Sequence, residues 1–219
     1  MTSTSAPTAA DYGWIRSPAS FFGHLMDTGY SMLLVRDVLP EQVLGAMGGS
    51  PWGTCRGSGE LGDAHAEFLE ECGDDPESAL VGAFSARDAD GRDWAVVLEL
   101  GSDLGTRPEL LATFSVGTRA VSHDSNSGKP MHFFHWYENG ERRTGFEYPT
   151  HRDGTTPDDL NDLLRDLGLD PDGDSDPALD SKAAVLALAE RLTGVRMTEE
   201  LLRDAEYLVA EVPEEPVDE

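Results

Sequence analysis

The chain has 219 residues, 39% of them hydrophobic, enough for one buried core with room for an appended helical segment. Acids outnumber bases 42 to 16, a net charge of −26, and residues 153–219 carry 20 acids against 5 bases. A field of that sign repels phosphate backbones and anionic headgroups, which excludes nucleic acid and membrane as direct partners and favours a basic one.

Residues 1–10, rich in Ser, Thr, Ala and Pro, read as a disordered tail, with Tyr12 and Trp14 the first anchors. "GYSMLLVRDV" predicts a strand that buries Leu33 and Val35. "LPEQVLGAMGG" predicts a helix with Pro40 in its first turn and Gly48-Gly49 closing it. "SPWGTCRGSGELGD" reads as a mobile glycine-rich loop, followed by a short helix around "AHAEFLEEC". "LVGAFSARDADGRDWAVVLEL" is a hairpin. A two-residue turn on Asp90-Gly91 would set Phe84 opposite Val97 and Ala83 opposite Leu98, with apolar pairs on both faces.

"TRPELLATFS" then supplies a helix starting at Pro108, and "GTRAVSH" a strand. "HFFHWYENGERR" is a second hairpin, centred on Asn139-Gly140. "TTPDDLNDLLRDLGL" is an amphipathic helix with Asp158 and Asp159 at its positive end and Gly168 at its stop. "SKAAVLALAERLTG" is another, N-capped by Ser181. "MTEELLRDAEYLV" begins a third, and "VPEEPVDE" is a loose tail.

The sum is an α+β protein: a mostly antiparallel sheet of five to six strands built from hairpins, packed by helices, with a C-terminal helical segment. The expected division is a tail at 1–10, a sheet core at 11–152, an acidic helical segment at 153–210 on the same domain, and a loose acidic end at 211–219. No apolar run reaches the ~18 residues of a membrane span. "MTSTSAPTAAD" lacks the basic start and apolar centre of a signal peptide, so a cytoplasmic location is expected.

Motifs for known chemistries are missing. The alternating aspartates 170, 172, 174 and 176 do not place Gly at the sixth and Glu at the twelfth position of a calcium loop. "GGSPWG" and "GSGELG" lack the lysine and hydroxyl of a phosphate loop, and no G-x-S-x-G or H-E-x-x-H occurs. Cys55 and Cys72 are not in a C-x-x-C pair and read as free thiols. "ALAERLTGVRMTEELL" has the outline of a helix-turn-helix, but its second helix is acidic where DNA recognition needs bases. No cofactor, no metal and no catalytic residue is expected.

The hairpin at Asn139-Gly140 holds the densest chemistry. A two-residue turn sets Glu138 opposite Glu141, Tyr137 opposite Arg142, Trp136 opposite Arg143, Phe134 opposite Gly145, Phe133 opposite Phe146 and His132 opposite Glu147. His132 and His135 then lie on opposite faces and cannot share a metal. Met131, Phe133, Phe146 and Tyr148 form the expected core face. His132, Phe134, Trp136, Arg143 and Glu147 form the other face, which is the candidate binding surface, with Arg143 on the Trp136 ring.

"WAVVLELGSDLG", "LLATFSVGTRAVS" and "ALAERLTGVRMT", in that order, resemble an uncharacterised group of actinobacterial proteins, a domain of unknown function, over roughly residues 12–205. "GTRAVS" and "LAERLTGV" are the most specific parts. The group has no assigned activity, so the resemblance carries no catalytic residue over. A looser likeness, in charge and fold class alone, is to the small acidic immunity proteins of bacterial toxin systems.

The leading expectation is a non-enzymatic cytoplasmic domain that binds another protein, a basic one, through the His132–Trp136–Arg143 face or the acidic helical end. The alternatives are a hydrolase or transferase using His132 with Glu147, or Cys55, in a cleft formed by residues 48–62, and a structural part of a larger assembly.

Overall fold

The computed structural model describes residues 6–72, 77–101, 104–125, 133–173, 175–176 and 178–213. The strands are β1 (Tyr30–Arg36), β2 (Ser50–Arg56), β3 (Ser78–Arg87), β4 (Asp93–Leu100), β5 (Arg119–Ser125), β6 (Phe133–Glu138), β7 (Glu141–Phe146), β8 (Arg152–Asp153) and β9 (Glu206–Pro213). The helices are α1 (Phe21–Thr28), α2 (Pro40–Ala46), α3 (Gly57–Cys72), α4 (Pro108–Phe114), α5 (Asn161–Asp166), α6 (Ser181–Thr193) and α7 (Glu199–Asp204), with 3-10 segments at Ala9–Arg16 and Leu104–Thr106.

The strands form one sheet in the order β2-β9-β3-β4-β1-β5-β6-β7-β8, every neighbouring pair antiparallel. The protein is therefore α+β, with nine strands instead of five to six. Two of the additional strands, β2 and β9, pair with each other. β2 is mostly exposed and interrupted by a bulge between Pro51 and Gly53, so it lacks the alternation that marks a strand in sequence. It also ends the sheet, where a proline and a bulge blunt an open edge. β9 enters between β2 and β3. Its sequence continues the helical composition of α7, but Ala205 is already extended at φ −64°, ψ 147°.

Both faces of the sheet are covered. The larger core gathers Met32, Leu34, Trp94, Val96, Phe134, Tyr207 and the length of α6 on one face. A smaller core sets Leu33, Val35, Val81 and Val97 against Val43 and Leu44 of α2 and Leu111 of α4 on the other. Burial on both faces explains the near-continuous apolar runs of β1, β3 and β4.

Residues 182 to 189 of α6 are all buried. The sheet covers one side of the helix at β5, and the 3-10 segment Ala9–Arg16 covers another. That segment is fastened by Tyr12, whose hydroxyl donates to Glu190 at 2.8 Å, and by Arg16, which bonds both oxygens of Asp180 at 2.6 and 2.8 Å. Order at the N-terminus thus begins before Asp11, since the Pro7 carbonyl accepts from Arg191 Nε. Asp180, not Ser181, caps α6, accepting from the Ala183 amide, and Gly194 closes the helix in the left-handed conformation.

The β3–β4 hairpin forms with a three-residue connection. Phe84 pairs with Val96 and Ala83 with Val97, one residue from the expected register. Asp88 decides this: its Oδ1 accepts from the amides of Asp90 and Arg92, and its Oδ2 accepts from the Trp94 indole. Gly91 then takes the positive φ that closes the turn.

Candidate functional site

At the second hairpin, Asn139 and Gly140 have φ of 55° and 84°, the two positive values of a type I′ turn. Glu138 pairs with Glu141 and Tyr137 with Arg142, as the turn dictates. A bulge follows, and β7 gains one residue on β6: Trp136 pairs with Thr144, His135 with Gly145 and Phe134 with Phe146.

That single slip carries Phe146 from the Phe133 side of the pair to the Phe134 side. Phe134 and Trp136 join Phe146 in the larger core, at 0%, 8% and 2% exposure, and Phe133 turns to the other side, half-buried. Of the face expected for recognition, Phe134 and Trp136 are therefore interior, while Arg143 and Glu147 are half-buried. Trp136 is packed by cations from both neighbouring strands, Arg119 at 5.3 Å and Arg143 at 5.6 Å from the ring centroid. Arg143 also reaches Thr156 and Asp159. Glu147, past the end of β7, is half-buried. His132 and Met131 lie outside the described residues, so the His132–Glu147 pair does too.

His135 occupies the opposite face, buried beneath Arg142, whose guanidinium fills the space a Cβ would need at Gly145. Neither ring nitrogen has a hydrogen-bond partner among the described residues. Burial first, and the Arg142 charge second, push its pKa down to about 4.

Residues 48–62 form β2 and the start of α3 instead of an open cleft loop. Cys55 is half-buried there. Burial, with Glu60 and Asp63 nearby, raises its thiol pKa, so the arrangement keeps the sulfur protonated and poorly nucleophilic.

A row of buried polar residues escaped sequence reading. Ser31 on β1 lies between Glu99 on β4 and Asp124 on β5, all three buried. Ser31 Oγ accepts from the Gly105 amide at 2.8 Å, Glu99 accepts from the Leu104 amide at 3.0 Å, and Ser122 donates to the Gly105 carbonyl at 2.5 Å. The row thereby holds the 3-10 turn at Leu104–Thr106 against the sheet. Its only signal in the sequence is a polar residue inside each of three apolar strands.

An acidic open concavity lies at a step in the sheet. The β9–β3 ladder ends at the Ala83–Leu208 pair, and among the described residues Phe84–Arg87 pairs with no strand on that side, although the Tyr207 ring of β9 still touches Phe84. α2 and α7 stand over the step, leaving a groove of about 670 Å³. Phe84, Leu201 and Leu208 give it apolar floor. Glu41, Glu200, Asp204 and Glu206 make its rim acidic. Asp204 is paired with Arg203 at 3.0 Å, whereas the other three carboxylates have no ion-pair partner among the described residues.

Among the described residues no group of His, Cys, Asp and Glu is arranged to hold a metal, and no helix is long and apolar enough to cross a membrane. The fold defines an α+β protein built on one antiparallel sheet with helices on both faces. Residues 5–217 match the model of a family of unknown function, DUF6461, and the chain belongs to that family. No curated protein and no solved structure matches it.

Proposed function

We propose that this is a non-enzymatic, cytoplasmic protein-interaction domain that takes a basic, extended segment of another protein in the groove between α2, α7 and the unpaired end of β3. One observation carries the reading: three carboxylates with no ion pair within 4 Å among the described residues, Glu41, Glu200 and Glu206, ring a groove whose floor includes unpaired strand edge. Arg203 of α7 is the cation that feels the Glu200 charge. An extended chain can hydrogen-bond to such an edge while its lysines or arginines meet the acids. The net charge of −26 adds long-range attraction for a basic partner.

A titration with an arginine-rich peptide at low and high salt tests this. Saturable binding is expected, weakened by salt, with slowed amide exchange at Ser85 and Arg87. The triple variant Glu41→Lys, Glu200→Lys, Glu206→Lys is expected to lose the binding. A control reversing Glu67, Glu70 and Glu71, which are exposed on α3, changes charge equally and is expected to keep most of it. Equal loss in both variants would reduce the effect to bulk charge and remove the groove from the account.

A further inference from the structure

A second concavity is unlike the first in chemistry. Between α1 and α3, over the end of β4, the molecule leaves a cleft of about 460 Å³, within the range of small-molecule sites. Phe21 and Leu25 of α1, Ala66 and Leu69 of α3, and Leu100 beneath make its walls apolar. Positions 59, 62, 66 and 69 recur at the helical period, so α3 turns one stripe to the cleft while Leu61 and Phe68 are buried in the core.

The upper part of that stripe is bare. Among the described residues, and apart from the helix's own backbone and the chain neighbours, no atom lies within 4 Å of where a Cβ would stand on Gly59, and on Gly62 Phe21 Cε2 alone does, at 3.6 Å. Neither glycine has a positive φ. Neither crowding nor backbone conformation requires glycine at these positions, and after proline it is the poorest helix former. Alanine fits both places, yet both are left empty, and both empty places open on the same cleft.

His65 adds an imidazole to this wall. It is half-buried at the cleft, and burial lowers its pKa, so the imidazole is held neutral with one nitrogen as donor and the other as acceptor. Asp63 stands at the cleft on a chain of net charge −26, an environment that repels anions.

We infer that this cleft binds a small neutral molecule with an apolar body and one hydrogen-bond donor, the body lying along Gly59 and Gly62 and the donor meeting His65. The site is separate from the acidic groove and does not depend on the reading given to it.

N-phenyl-1-naphthylamine, a neutral apolar fluorophore with one N–H, is the probe. One-to-one saturable binding to the whole chain is expected, with a rise in melting temperature. Gly62→Leu and Gly59→Leu, which fill the cleft, and His65→Leu, which removes the acceptor, are each expected to weaken binding by about tenfold or more. Unchanged or higher melting temperatures in the glycine variants would show that the loss is not unfolding. Gly59→Leu, built into open space, decides the matter should Gly62→Leu fail to fold. An analogue with the same rings and a sulfonate is expected to bind about tenfold more weakly. The inference is overturned by an absence of saturable binding, by equal affinity in the filled variants, by equal affinity for the sulfonate, or by doubled mass in sedimentation showing that a second copy covers the cleft.

Discussion

Phe134 stacks on Phe146, ring centroids 5.3 Å apart and planes 24° from parallel, across the β6–β7 pair. The contact exists because the bulge between Trp136 and Tyr137 brings Phe146 opposite Phe134, on the side of the pair that faces the larger core. Phe146→Ala is expected to cost roughly 3 to 5 kcal/mol of stability, since the cavity forms among residues that cannot collapse into it. Denaturant unfolding measures it, and a cost below ~1 kcal/mol would mean that the ring is not core.

His135 makes stability depend on acidity. Its folded pKa, about 4, lies below the ordinary 6.5, so the unfolded chain takes up a proton that the folded chain refuses. This site costs nothing above the unfolded value and progressively destabilises the fold as pH falls from about 6.5 toward 4. Between pH 7 and pH 5 the loss from this site is about 2 kcal/mol. His135→Phe is expected to flatten that part of the profile. An unchanged slope between variant and parent would assign the acid sensitivity elsewhere.

Asp88 is expected to matter more than a turn aspartate usually does, because three N–H groups converge on it, one of them the buried Trp94 indole. Asp88→Ala should destabilise by roughly 1 to 3 kcal/mol, and Asp88→Asn, which keeps one oxygen, by less. Thermal melts of the two variants order them. The reverse order would exclude acceptor loss as the cause.

Asp180 both caps α6 and receives the Arg16 fork. Asp180→Ala is expected to cost roughly 1 to 2 kcal/mol, most of it from the cap, because Arg16 is about half exposed and water screens the pair. Arg16→Ala, measured alongside, should cost under ~1 kcal/mol. Equal costs would shift the weight from cap to ion pair.

The elements that announce themselves in the sequence are those with a local cause. Pro40 and Pro108 start helices, Gly168 and Gly194 take positive φ at helix ends, and Asn139-Gly140 turns a hairpin, all from residue chemistry alone. What was not legible depended on distant partners. β2 is a strand because β9 lies beside it, and β9 is a strand because a slot exists between β2 and β3. The partner of Phe134 was misread because a bulge moves β7 by one residue on β6, which carries Phe146 to the Phe134 side; the setting of Trp136 was misread because both faces of β6 are covered. The acidic groove joins Glu41 to Glu206 across most of the chain length, and no window of sequence contains both.

β2 touches the rest of the sheet only through β9, and Glu206 and Leu208 of β9 are also part of the groove wall. During synthesis β2 and β3 emerge long before the strand that fits between them, so pairing there waits for residues 206–213. Such long-range closure is slow to form. The groove wall is therefore complete only once the chain has been made past Leu208, so the groove and the last ladder of the sheet form together.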